Sequence, residues 1–159
     1  MIEFRTAGSD DLDGILALYE QLHPADPPVL DAPRVFGAIL RTPGLQLFVL
    51  EDEGAIVATT YLNVILNLTR GGAPYAVIEN VVVDEARRGT GLGKQIMANT
   101  LQAAWDAGCY KVMLQTGSQR ESTHAFYRRC GFDPDEKTAY VAHPVNLNMS
   151  WTRWRRYGG

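Results

Sequence analysis

Apolar and polar positions along the chain predict a succession of strands and helices. Short apolar or alternating segments, rich in β-branched residues and bounded by turn residues, are typical of strands. Six such segments occur, at residues 2–5, 45–50, 55–66, 75–83, 110–116 and 138–143. An acidic turn at residues 51–54 ends in Gly54, so the second and third strands are predicted to form a hairpin.

Helical periodicity accounts for most of the remaining chain. The predicted helices cover residues 9–23, 31–41, 91–107 and 122–130. Ser9 is the predicted N-cap of the first helix, Ser122 or Thr123 caps the last, and Gly131 ends it. The predicted core face of the third helix consists of Ile96, Met97, Leu101, Ala104 and Trp105.

The resulting order is β-α-α-β-β-β-α-β-α-β, which predicts an α/β (α+β) fold with a mixed sheet and helices on both faces. Consecutive strands in the middle of the chain argue against a doubly wound, all-parallel sheet. A length of 159 residues suits one domain with a single buried core.

Composition and charge exclude several classes of function. No apolar run approaches the roughly 20 residues of a membrane helix, so no membrane association is expected. A net charge of −3 disfavours nucleic acid as a partner. Two cysteines, Cys109 and Cys130, suit a reducing compartment, and a cytoplasmic location is expected. No metal is expected, because the histidines lack metal-ligand spacing.

The segment from Glu79 to Lys94 carries the clearest chemical signal. An apolar strand breaks into a basic turn with Gly89, Gly91 and Gly93, and a helix follows directly. Such a turn presents free backbone N–H groups and the positive end of the helix dipole to a phosphate. Neither the dinucleotide-binding pattern nor the nucleoside triphosphate loop fits these spacings. A phosphate-bearing ligand is therefore expected at the start of this helix.

The turn also matches a known motif. Residues 88–93, Arg-Gly-Thr-Gly-Leu-Gly, have the form Arg/Gln-x-x-Gly-x-Gly, and residues 125–132 contain Ala-x-Tyr followed by Gly-Phe. In both segments the chain resembles the GNAT superfamily of acyl-CoA-dependent N-acyltransferases. The resemblance implies one acetyltransferase domain over residues 1–159, with two central parallel strands that splay apart. It also implies acetyl-CoA as co-substrate and direct transfer to an amine in a ternary complex.

The resemblance further implies roles for individual residues. Tyr127 matches the family tyrosine that protonates the departing thiolate. Glu79 is the candidate general base, because a carboxylate in an apolar strand is expected to face a cavity; a structural ion pair with an arginine is the alternative. Ser122 stands where relatives often carry an asparagine, so helix capping is an alternative role. The residues implied to bind the cofactor are Val81, Val83, Arg88, Gly89, Gly91, Leu92, Gly93, Lys94 and Ser122.

The acceptor is expected to be a small-molecule amine such as an amino sugar or amino acid. Residues 78–83 and 109–111 are similar to the glucosamine-6-phosphate N-acetyltransferase branch of the family. The acceptor is expected to contact the first two helices and the loop at residues 24–30. Further candidate contacts are Tyr61, Asn63, Asn67 and Tyr140. A protein lysine or N-terminal acetyltransferase and a non-catalytic acyl-CoA sensor are the alternatives.

The C-terminal segment combines aromatic and basic residues at positions 151–157. Such residues are enriched at protein–protein contacts, and relatives often dimerise through C-terminal strands. A homodimer is therefore expected, with residues 145–148 contributing a strand. The alternative is a tail that folds back on its own subunit.

Overall fold

The computed structural model describes residues 1–142 and contains five strands and four α-helices. The strands are β1 (Ile2–Thr6), β2 (Leu45–Asp52), β3 (Ala55–Ile65), β4 (Tyr75–Val83) and β5 (Val112–Leu114). The helices are α1 (Leu12–Leu22), α2 (Ala32–Arg41), α3 (Leu92–Asp106) and α4 (Glu121–Arg129). Contacts divide the chain into two units, Met1–Leu114 and a second unit that begins at Gln115. No helix of the described residues is long and apolar enough to cross a bilayer.

The five strands form one sheet in the order β1-β2-β3-β4-β5. The pairs β1–β2, β2–β3 and β3–β4 are antiparallel, and the pair β4–β5 is parallel. The predicted hairpin is confirmed: Glu53 and Gly54 join β2 to β3, with φ angles of 51° and 83°. Two consecutive positive φ values produce the turn that matches strand twist. The mixed sheet confirms the predicted fold class.

Helices pack against both faces of this sheet. On one face, Ile15 of α1 and Phe36 of α2 share a core cluster with Val49 of β2. On the other face, the next residue of β2, Leu50, clusters with Ile96 of α3. Successive side chains of a strand point to opposite faces, so one strand supplies both cores.

Several predicted details are wrong. Ser9 does not cap α1, which follows a 3₁₀ turn at Ser9–Asp11 that has no side-chain cap. Ser122 and Thr123 lie inside α4, whose N-cap is Arg120. The strand predicted at residues 110–116 is shorter in the structure, where β5 spans Val112–Leu114. Residues 138–142 are not a strand, and residue 143 lies outside the described part.

The core face of α3 also differs from the prediction. Trp105 is 45% exposed, whereas Thr100 is fully buried. The Thr100 hydroxyl donates to Ile96 O at 2.8 Å and lies 2.7 Å from the Thr60 hydroxyl of β3. Paired in this way, a polar side chain is tolerated in the core.

An ionic cluster joins β1, the 3₁₀ turn and β2. Arg5 donates to both carboxylate oxygens of Asp11, at 2.6 and 2.8 Å, and to Glu51 at 2.6 Å. The Gly8 N–H donates to the same Asp11 carboxylate at 2.7 Å. These bonds, above all those from Arg5, lower the pKa of the buried Asp11 below its ordinary value. Asp11 therefore fixes the start of the helical layer on the sheet.

Replacing Asp11 with Asn should lower the free energy of unfolding at pH 7 by about 1.5–3 kcal/mol, the range for hydrogen bonds to charged groups. The folded-state pKa of Asp11 is depressed, so its contribution is present above the unfolded pKa of about 3.9. The contribution disappears as the pH falls through the folded pKa. Urea unfolding at pH 7 and below pH 4 checks this. A difference between wild type and variant that stays constant across that range would contradict the assignment.

Candidate functional site

The strand–turn–helix predicted to hold a phosphate is present in the first unit. Val83 ends β4, a 3₁₀ turn follows at Glu85–Arg87, and α3 begins at Leu92. Gly89 and Gly91 have φ angles of 78° and 92°, and a Cβ added to either would meet no atom within 4 Å. The glycines therefore leave the turn open while giving it a left-handed backbone.

The N-terminus of α3 presents to this open turn backbone N–H groups that have no acceptor within the helix. Its first backbone hydrogen bond runs from Gln95 N–H to Gly91 O, at 3.0 Å. The N–H groups of Leu92, Gly93 and Lys94 precede that bond and have no acceptor within the helix. Together with the helix dipole, they can bind an anionic group.

The two arginines before the turn have different roles. Arg87 donates to Asp52 at 2.6 Å, and its carbonyl accepts a bond of 2.6 Å from the Thr90 hydroxyl. Arg88 is exposed, and its Nε donates to Val83 O at 3.2 Å. Arg87 thus braces the turn against β2, whereas the exposed cations Arg88 and Lys94 border it.

Pairing between the parallel strands β4 and β5 ends near the middle of β4. They pair at only three positions, the last being Ile78 with Leu114. Within residues 1–142, no strand pairs with the later half of β4 on that side. This half carries Val81 and Val83, the residues expected to present backbone groups to the cofactor. Within the described residues, this half of β4 therefore presents a sheet edge of the kind to which an extended ligand can add.

A β-bulge, which the sequence analysis did not predict, interrupts β4 at the same point. The register with β3 shifts between Thr59 and Tyr61, so Asn80 and Val81 both lie opposite Thr60. Asn80 has a φ of 51°, a left-handed conformation that is uncommon outside glycine. The sequence feature that could have indicated the bulge is an asparagine within an apolar strand. Asparagine tolerates the left-handed conformation better than most residues other than glycine.

Two tyrosines lie beside the bulge on the face covered by α1 and α2. Burial raises the pKa of Tyr19 to about 12, while hydrogen bonding with the side chains of Asn80 and Thr59 acts in the opposite direction. Burial also raises the pKa of Tyr61. Both phenols are therefore neutral at physiological pH.

Glu79, which was expected to face a cavity, lies on the surface of β4. Its side chain is exposed, and the residue pairs with Tyr61 across β3 and β4. Among residues 1–142 no ion pair involves Glu79, so the alternative of a structural pair with an arginine finds no support there. The carboxylate is accessible for proton transfer beside the bulge.

The second unit contains Tyr127 and Ser122 on α4. Tyr127 lies between two aromatic rings, with centroids 5.2 Å from Phe126 and 6.2 Å from Phe132. Ser122 is exposed and makes no cap bond. The loop before the helix is instead held by Ser118, whose carbonyl lies 2.7 Å from Nε2 of His124.

Two of the polar residues expected to contact an acceptor are engaged within the protein. The Asn63 amide donates to Val77 O at 3.3 Å, and the Asn67 amide donates to the Thr69 hydroxyl at 2.8 Å. Tyr61 and the exposed Tyr140 lack such bonds among those described. Within residues 1–142, no group of three or more His, Cys, Asp or Glu side chains could hold a metal ion.

Comparison with known proteins identifies relatives over most of the chain. The profile of the Acetyltransferase (GNAT) family matches residues 12–132. The chain is 32% identical over 143 residues to glucosamine 6-phosphate N-acetyltransferase of Trypanosoma brucei brucei, covering 86% of this chain and 92% of the relative. It is 35% identical over 136 residues to probable glucosamine 6-phosphate N-acetyltransferase 2 of Oryza sativa subsp. japonica, covering 80% and 79%.

A solved structure extends the likeness to the fold. A putative acetyltransferase from Agrobacterium tumefaciens str. C58 superposes with a TM-score of 0.84 at 45% identity. The match covers 89% of this chain and 99% of that one.

Proposed function

The chain belongs to the acetyltransferase (GNAT) family and is an acyl-CoA-dependent N-acyltransferase, and from this premise we propose that it transfers the acetyl group of acetyl-CoA to the primary amine of a small amino sugar. The open turn between β4 and α3 carries this proposal. Its left-handed glycines and the backbone N–H groups that have no acceptor within the helix lie within the family match and fit a pyrophosphate. Members of this family use acetyl-CoA, so the ligand follows from the family and the turn together.

We assign cofactor binding to the turn and helix start, to the free edge of β4 and to Ser122. The turn and helix start would hold the pyrophosphate, and the free edge of β4 would pair with the pantetheine arm. The Arg88 Nε donates to Val83 O at 3.2 Å, so this carbonyl must exchange partners if it is to accept a bond from the arm. The proposed set is Val81, Val83, Arg88, Gly89, Gly91, Leu92, Gly93, Lys94 and Ser122.

The proposed reaction is a direct transfer between two bound substrates. The amine nitrogen forms a bond to the thioester carbonyl carbon, the carbon–sulfur bond breaks, and the electron pair leaves on sulfur. Glu79, directly or through water, accepts a proton from the nitrogen, and the Tyr127 hydroxyl gives a proton to the thiolate. Tyr127 then regains a proton from solvent and Glu79 releases its proton to solvent, which restores both groups. The products are an N-acetylated amine and CoA.

Replacing Glu79 with Gln should remove the acidic limb from the pH profile of kcat/KM. A general base must be deprotonated to act, so protonation of Glu79 would lower the rate as the pH falls. Steady-state rates at saturating acetyl-CoA across the pH range measure this limb. Glu3, another exposed carboxylate on a strand, provides the control, and Glu3→Gln should keep the profile of the parent. An acidic limb that survives in Glu79→Gln would remove the assignment.

The amino sugar acceptor rests on the named activities of the two curated relatives. Release of free thiol from acetyl-CoA should be measured with glucosamine 6-phosphate, glucosamine, amino acids and lysine peptides. The proposal expects the highest kcat/KM with an amino sugar. Preference for a peptide would instead indicate a protein acetyltransferase.

We also propose that the protein is a homodimer assembled through its C-terminal tail. The tail at residues 151–157 and the strand expected at 145–148 lie outside the described residues, so the proposal rests on composition. Truncation after Asn148 should halve the molar mass measured by light scattering. A parent that is monomeric at micromolar concentration, or a truncated chain that keeps the mass of the parent, would contradict it.

We also propose that the protein is located in the cytoplasm. The chain has two cysteines, Cys109 and Cys130, and burial raises the pKa of Cys109. So few cysteines suit a reducing compartment better than a disulfide framework. Alkylation of both thiols in freshly lysed cells, without added reductant, would support this location.

A further inference from the structure

The C-terminal end of α4 is a Schellman motif built around Tyr127. Gly131 has a φ of 94° and donates from its N–H to Arg128 O at 3.0 Å. The Phe132 N–H donates to Tyr127 O at 3.1 Å, and Cys130 N–H donates to the same carbonyl at 3.0 Å. These bonds fix the residue after the glycine over the last turn of the helix.

The motif places one aromatic ring against another. The rings of Phe132 and Tyr127 meet edge to face, with centroids 6.2 Å apart and an interplanar angle of 83°. Phe126 contacts the same tyrosine ring at 5.2 Å, with an angle of 59°. Edge-to-face contacts are a preferred geometry for aromatic pairs. The tyrosine ring is therefore restrained through its backbone carbonyl and through the ring of Phe132.

We propose that Phe132 is a positioning residue that orients the Tyr127 hydroxyl for protonation of the departing thiolate. This proposal rests on the proposed function, because it presumes that Tyr127 is the acid. Phe132 exchanges no proton itself. It acts because a proton donor must lie within hydrogen-bond reach of the acceptor, and a misplacement of about 1 Å can cost roughly a hundredfold in rate.

A double-mutant cycle between Phe132 and Tyr127 tests the proposal. Phe132→Leu should lower kcat roughly tenfold or more, with the KM for acetyl-CoA within about twofold of the parent value. In a Tyr127→Phe background, the same substitution should cause no further loss of kcat, since no hydroxyl remains to be oriented. Phe132→Tyr retains the ring edge and should restore the parent kcat.

A matched control separates positioning from a general loss of packing. Phe4 and Phe48 form another aromatic pair, with centroids 4.9 Å apart, on β1 and β2. Phe4→Leu should lower the melting temperature and leave kcat unchanged. Circular dichroism identifies any variant that does not fold. If Phe132→Leu does not fold, kcat is compared between Phe132→Tyr and the parent.

The outcomes distinguish this proposal from the proposed function. If Tyr127→Phe loses activity while Phe132→Leu keeps the parent kcat, or loses the same factor in both backgrounds, the positioning role is wrong and the acid role stands. If Tyr127→Phe keeps the parent kcat, both roles are wrong.

Discussion

The Tyr127→Phe variant should lose about tenfold to a thousandfold in kcat while its affinity for CoA changes little. The substitution removes one hydroxyl and keeps the ring between Phe126 and Phe132, so packing of the helix end is preserved. A loss of this size is typical of removing a general acid, which contributes to the chemical step and not to ground-state binding. Thiol release under saturating substrates gives kcat, and calorimetric titration with CoA gives the affinity.

Tyr110→Phe provides the control for the loss of a phenolic hydroxyl. Tyr110 is 40% exposed and its ring is flanked by Arg70 and Lys111, whose charged groups lie 5.7 and 5.5 Å from its centroid. These contacts use the ring and not the hydroxyl, so the variant should keep the activity of the parent. Full turnover by a folded Tyr127→Phe protein would exclude Tyr127 as the acid.

The sequence was sufficient to predict the order of elements over most of the described chain. Strand signals in β1 to β4 are strong because each carries β-branched or aromatic residues between clear turn residues. The strand predicted at residues 110–116 is too long, because β5 pairs with β4 at three positions only. Where this pairing ends depends on the whole sheet and leaves no local signal in residues 110–116.

The turn proposed to bind phosphate could be predicted because its requirements are local. Glycine spacing, a preceding strand and a following helix are all visible in the sequence, and Gly89 and Gly91 adopt the positive φ values that only glycine adopts easily. Tertiary contacts decided the details that were missed. Thr100 is buried because Thr60, 40 positions away, pairs with its hydroxyl. The exposure of Glu79 likewise depends on which elements cover its strand.

The bulge at Asn80 changes which residues of β4 share a face of the sheet. A continuous alternation through β4 predicts that Glu79 and Val81 share a face, but the bulge places Asn80 and Val81 together opposite Thr60. Left-handed backbone in a non-glycine residue persists where surrounding contacts hold it, and such positions cluster at functional sites. The Tyr19 hydroxyl supplies one such contact through its hydrogen bond with the Asn80 side chain.

Replacing Gly91 with Val should raise the KM for acetyl-CoA by about tenfold or more while the protein remains folded. A Cβ at this position projects into the open turn, where no protein atom lies within 4 Å and where the pyrophosphate is proposed to bind. A β-branched residue at a φ of 92° also disfavours the backbone that presents the helix N–H groups. Loss of one charged hydrogen bond, about 1.5–3 kcal/mol, corresponds to a tenfold or larger change in affinity.

The other end of the same helix supplies the control for strain. Gly108 has a φ of 80°, and a Cβ there would also meet no atom within 4 Å. Gly108→Val should therefore lower the free energy of unfolding by about the same amount as Gly91→Val, roughly 1–2 kcal/mol for a left-handed backbone. Because Gly108 lies outside the turn, its variant should keep the KM of the parent. An equal rise in KM in both variants would attribute the effect to helix stability, and an unchanged KM in folded Gly91→Val would exclude the turn as the pyrophosphate site.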